Sequence, residues 1–223
     1  MSGSSFLPPW LTLLGCLGFI AWLFWKDSSE PAVGSNALWI SGIWLFIEGS
    51  RTPGSWIYVI SGGYDVRNSQ LEGNPLDEII LSALMLSSIV ILNRRRFQWS
   101  AFFASNLTVW AIYIYFLISA VWGADPLVVV KRITKDFGLV FLVLLIATEP
   151  NWSYAIRKIF LRVSYIIFPL SVVLIKWFPS IGRSASSGGE TMYGGVTVHK
   201  NTLGQELIVF GIVLIWDLAE HLF

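Results

Sequence analysis

Residues 99–122 read WSAFFASNLTVWAIYIYFLISAVW. No charged side chain interrupts the stretch, and a helix needs about 20 mainly apolar residues to cross the bilayer core. It predicts a transmembrane helix. Working outward, further apolar runs fall at 7–25, 33–49, 76–92, 137–148, 159–178 and 202–218. The run at 137–148, FGLVFLVLLIAT, is short and spans only if its flanks join it. Together these runs predict an all-α, polytopic membrane helix bundle of about seven segments, forming a single membrane domain over 1–223.

Composition agrees. Hydrophobic residues make up 55% of the chain and charged residues 13%, against about 25% charged in soluble domains. Mean hydropathy is +0.66. Trp10, Trp25, Trp99, Trp122, Trp152 and Trp177 lie near the ends of apolar runs, as expected of side chains that favour the headgroup level. The net charge of +1 gives no basic surface for nucleic acid. The single cysteine, Cys16, excludes a disulfide or a multi-cysteine metal site within the chain. The first ten residues, MSGSSFLPPW, carry no basic residue, so the apolar run after them reads as a retained helix.

Basic loops set the expected orientation. Arg94, Arg95 and Arg96 form the densest cluster and are expected in the cytoplasm, with Arg157, Lys158 and Arg162 on the same side if every segment crosses. The 50–75, 123–136 and 179–201 loops then face outward. They nevertheless hold Arg51, Arg67, Lys131, Arg132, Lys135, Arg183 and Lys200. Either the topology is inverted or these cations meet an anion.

The loop SGGETMYGGVTVHKNTLG (187–204) is polar, rich in glycine and set between two apolar runs. His199 can serve as a general base; it can equally be an interfacial histidine that hydrogen-bonds its own loop. Lys200 and Arg183 are fixed cations beside it or simple helix-end anchors. Asn201 could orient a sugar hydroxyl, or cap a helix starting near Thr202. The glycines at 188, 189, 194 and 195 allow backbone N–H groups to approach an anion or only make a turn. Glu190 is an alternative base or a solvated charge. On the 123–136 loop, Lys131 and Arg132 could clamp a lipid diphosphate, since arginine offers phosphate a two-pronged donor. Snorkelling beside a helix end is the plainer reading. Asp217, Glu220 and His221 share a helix face but read as a solvated terminus rather than metal ligands.

The piece GGVTVHKNTLGQ (194–205), after RVSYIIFPLSVVLIKWFPSIGR (162–183), resembles the O-antigen ligase and O-antigen polymerase superfamily. SNALWISGIWLFIEGSR (35–51), LEGNPLDEIIL (71–81) and LISAVWGADPLVVVKRITKDFG (117–138) support the resemblance. It implies a glycosyltransferase of the bacterial inner membrane that moves a glycan from undecaprenyl diphosphate at the periplasmic face. The acceptor would be a lipid A core sugar in a ligase or another lipid-linked repeat in a polymerase. Neither nucleotide sugar, metal nor other cofactor is implied. His199 would be catalytic, while Lys131, Arg132, Arg183, Lys200 and Asn201 would bind substrate. Family members are typically about twice as long, so the chain resembles their N-terminal half, and the catalytic groups of their second half have no counterpart here. A non-catalytic membrane component of polysaccharide assembly is the alternative of a different class.

Overall fold

A computed structural model describes residues 7–28, 34–61, 74–123, 125–185 and 189–222. The helices are α1 (Pro9–Ser28), α2 (Leu38–Glu48), α3 (Pro53–Ile60), α4 (Pro75–Arg94), α5 (Trp99–Ser105), α6 (Leu107–Ser119), α7 (Pro126–Ala147), α8 (Trp152–Trp177) and α9 (Lys200–Leu222). A small hairpin, β1 (Arg183–Ala185) and β2 (Thr191–Tyr193), precedes α9, with Arg183 opposite Tyr193. Helix starts follow local chemistry. Thr52 accepts a hydrogen bond from Ser55 N, Asn74 from Leu76 N and Asn151 from Tyr154 N. Pro53, Pro75 and Pro126 occupy first turns, where the missing N–H costs nothing.

The chain is an all-α bundle, but among the described residues four helices, not seven, are long and apolar enough to cross a membrane: α1, α4, α8 and α9. The bent pair of α5 and α6 makes a fifth if it counts as one span. The expected span at 99–122 is therefore broken, with an 83° bend. Asn106 sits at the break and donates through its side chain to Phe102 O at 2.8 Å, so an amide side chain intrudes on the helical ladder. The expected span at 33–49 is only an 11-residue helix, roughly 16 Å long against a bilayer core of about 30 Å. The short run at 137–148 is the second half of the 22-residue α7. Its first half carries Lys131, Arg132, Lys135 and Asp136.

Successive legs alternate between two polar ends. At one end Glu149, after α7, accepts from Ser35 N at 3.0 Å and Ser35 Oγ at 2.5 Å, and pairs with Arg95 from the end of α4. Asp27, at the end of α1, takes Lys158 Nζ at 2.6 Å and Arg162 Nε at 2.9 Å. Arg157 reaches Asp217 Oδ1 at 2.5 Å and also pairs with Glu220, both from the last turns of α9. At the other end Lys131 pairs with Glu78 at 2.6 Å and Lys135 with Glu48 at 3.0 Å. The Arg94–Arg96 and Arg157–Arg162 clusters thus share one end, opposite the described parts of the 50–75, 123–136 and 179–201 loops.

Between the ends, α8 and the second half of α7 form the centre. Trp44 of α2, 1% exposed, lies against Gly138, where an added Cβ would come within 2.4 Å of the indole. Phe141, Leu144 and Leu145 of α7 pack with Leu92 of α4 and Ala37. Ile159, Val163 and Ile167 of α8 pack with Leu38 and Phe210. Outward, α6 buries no residue and exposes Ile112, Ile114, Leu117 and Ile118. That much exposed apolar surface fits a lipid environment rather than water.

Two outcomes follow. Gly138→Val should cost about 2 kcal/mol by overpacking against Trp44 and lower the unfolding temperature in detergent. Gly18→Ala, which meets nothing within 4 Å and replaces a poor helix former inside α1, should not lower it. The second concerns acid. Burial raises the Glu149 pKa, but the Ser35 and Arg95 hydrogen bonds and the Arg95 charge outweigh it, and the net shift is downward. The resulting stabilisation is full above the unfolded value of about 4.3 and is lost as pH falls through the lower folded value. A Glu149→Gln variant should lose less stability than wild type between about pH 5 and pH 3, read by thermal unfolding.

Candidate functional site

Pro179 ends α8 by entering a short helical turn, and the hairpin then sends the chain back toward the bundle. Gly194 N and Gly195 N both donate to Gly182 O at 3.0 Å, closing the base of the hairpin. Gly195 has φ +57°, and a Cβ there would lie 2.7 Å from Ser171 Cβ. Only glycine permits both this backbone and this approach. Val196 N then donates to Ser171 Oγ at 3.3 Å. Ser171 precedes Trp177 by about one and a half turns, so the loop dips roughly 9 Å below the end of α8. Val196 and Thr197 have no exposed surface.

A non-helical segment at that depth must satisfy its carbonyls within the protein. Arg51, from the turn between α2 and α3, does so. Its Nη2 donates to Ile181 O at 2.7 Å and to Thr197 O at 3.0 Å, and its guanidinium lies 5.3 Å from the Trp56 ring centre. Arg51 is 8% exposed, and burial pulls its pKa below the usual arginine value. Its Nε and Nη1, and Trp56 Nε1 beside it, are buried donors with no hydrogen-bond partner among the described residues. Such orphans cost about 1–3 kcal/mol each. Here they all seek an acceptor. Gly54 N, in the first turn of α3, donates to Asp77 Oδ1 at 2.7 Å and fixes this corner to α4.

The expected site residues divide. His199 and Lys200 are exposed at the start of α9, and the Lys200 ammonium forms no ion pair among the described residues. His199 O accepts from Leu203 N at 3.1 Å, and Thr197 Oγ1 lies 2.9 Å from the same oxygen, which orients the backbone here. Asn201 is exposed within the first turn of α9, so it does not cap a helix starting at Thr202; α9 begins at Lys200. Arg183 turns its Nε to Ile175 O at 2.7 Å and stacks 5.5 Å from the Tyr193 ring, tying the hairpin to the end of α8. Lys131 is spent on Glu78, whereas Arg132 is exposed and forms no ion pair among the described residues. The α2 terminus lies between the α7 cations and α9: Glu48 holds Lys135, and a Cβ on Gly49 would meet Glu206 Oε2 at 3.0 Å.

Asp217 and Glu220 are bound to Arg157, which gives this helix face a structural duty; the His221 side chain lies outside the described residues. So do 62–73, with Arg67, and 186–188, with Gly188. Arg51 is the residue that loop-by-loop reading did not single out. Its signal was a lone cation directly after the apolar run at 33–49. The fold defines an all-α membrane protein of several passes with a partly buried loop at one end. No protein-family model, curated protein or solved structure matches the chain.

Removing Arg51 should release the loop. Hydrogen bonds to charged groups contribute about 1.5–3 kcal/mol. In Arg51→Ala, amide hydrogen exchange at Gly194, Gly195 and Thr197 should therefore rise at least about tenfold, 1.4 kcal/mol per decade. Exchange in α1 should not change.

Proposed function

We propose that the chain is an O-antigen ligase-like glycosyltransferase of a bacterial inner membrane. It would move a glycan from undecaprenyl diphosphate to a lipid A core or similar acceptor at the periplasmic face. The observation that carries this reading is the convergence at one polar end of the His199-Lys200-Asn201 segment, the exposed Arg132 and the buried donors around Arg51.

The chemistry matches that inventory. An acceptor hydroxyl attacks the anomeric carbon of the lipid-linked sugar, and the bond from that carbon to the diphosphate oxygen breaks. His199 takes the hydroxyl proton, and the leaving diphosphate gains negative charge. Fixed cations stabilise that charge in the transition state. Arg132 and Lys200 are free to approach it. Lys131 reaches it by exchanging Glu78, and an exposed pair of this kind contributes no more than about 1 kcal/mol. Arg183 and Asn201 line the approach, Arg183 through the guanidinium nitrogens not bonded to Ile175 O.

The test uses the full chain in liposomes with an undecaprenyl-diphosphate oligosaccharide and a lipid A core acceptor. Wild type should bind the donor and form product. His199→Ala should lower transfer at least about 100-fold with donor affinity nearly unchanged, and Arg132→Ala should weaken donor binding about tenfold. Donor binding without transfer would leave a non-catalytic assembly component, and absence of donor binding would sink the reading.

A further inference from the structure

The opposite polar end has a separate feature. A groove with about 460 Å³ of open space runs between α1, α2 and α8. Phe24, Trp39, Ile43, Phe46, Val163 and Ile166 line it, so its walls are apolar. From Trp39 to Phe46 it extends roughly 10 Å along α2. Arg162 lies on its rim toward the polar end.

Arg162 is held in a fixed pose. Its Nε donates to Asp27 Oδ2 at 2.9 Å, and its guanidinium lies 4.7 Å from the Trp39 ring centre. Trp39 in turn stacks on Phe24 at 5.9 Å. Both terminal guanidinium nitrogens are left without a hydrogen bond among the described residues. They form a fork of the shape that suits a phosphate. Asp27 is shared by Lys158 and Arg162, and Lys26 is exposed one residue before it.

An apolar channel that ends in a guanidinium with open terminal nitrogens matches one class of molecule. We propose that this groove is a binding site for an anionic glycerophospholipid, with part of one acyl chain between α1 and α2 and its phosphate on the Arg162 fork. Basic pockets between membrane helices select anionic headgroups in this way. The tryptophan beneath the guanidinium sits at the depth where indoles favour the interface. The site does not depend on the glycan-transfer reading, since it lies at the other end of the bundle from His199. It joins α1, otherwise exposed on nearly every face, to the rest of the fold.

The experiment is lipid titration of the purified full chain in detergent, read by native mass spectrometry. Phosphatidylglycerol should bind at least about fivefold more tightly than phosphatidylcholine of the same chains. Arg162→Gln should abolish that preference, while Arg96→Gln, exposed at the same end, should keep it. Gly42→Leu gives a second route, because a Cβ at Gly42 meets nothing within 4 Å and the longer side chain would fill the groove. It should weaken both lipids while the unfolding temperature holds. Millimolar inorganic phosphate should not displace the lipid. Equal affinity for the two lipids, full displacement by phosphate, or unchanged binding in Gly42→Leu would each overturn the proposal.

Discussion

Arg51 carries its charge beneath a stretch of chain that is not helical, and the end of the bundle that holds His199 is arranged around that fact. A loop at depth presents carbonyls that water cannot reach. Arginine answers two of them, Ile181 O and Thr197 O, from one nitrogen. The α2 helix stops early, at Glu48, and the turn after it carries Arg51 to the loop. Gly195 and Ser171 allow the close approach to α8. Val196 and Thr197 are fully buried in this loop. The His199 segment emerges directly from it.

The polar ends have different energetics. Around Asp27, Glu149 and Arg157 the charges are paired among several helices; the Asp27 and Glu149 carboxylates are buried, so removing a cation from either weakens the compensation of a buried charge, whereas the Arg157 pairs are partly exposed. Around Lys131 and Lys135 the pairs are more exposed and exchangeable. The first set fastens α1, α4, α7, α8 and α9 to one another. The second leaves cations that the proposed anionic donor would recruit at little cost. Buried and exchangeable ion pairs are therefore separated along the bundle axis.

Much of the fold was legible because apolar length is a strong signal. The runs at 7–25, 76–92, 159–178 and 202–218 each correspond to a helix of span length, displaced or extended by a few residues at the ends. The failures have local causes. A composition reading cannot see that Asn106 takes the Phe102 carbonyl and splits an otherwise unbroken apolar run. It cannot tell an 11-residue helix plus a turn from a span, because Ser35, Asn36 and Gly49-Ser50 are only mildly polar. It also ends α7 too late on its N-terminal side, since the charges of that half find Glu78 and Glu48 only in three dimensions. At the site, residue type and spacing marked His199, Lys200 and Arg132. Arg51 was counted among the cations at odds with the orientation rule, and its burial depends on contacts more than 100 positions away along the chain, 130 to Ile181 and 146 to Thr197.

The most direct test concerns which side of the membrane each end occupies. Single cysteines at Gln98 and Glu190, both exposed, would be placed in a Cys16→Ser background and treated with a membrane-impermeant thiol reagent on intact spheroplasts. Glu190 precedes β2 at the His199 end, and Gln98 follows the Arg94–Arg96 cluster. Labelling at 190 with protection at 98 is the predicted result and puts the His199 loop outside, where lipid-linked glycans are joined. Labelling at 98 with protection at 190 would put that loop in the cytoplasm and contradict the proposed transferase.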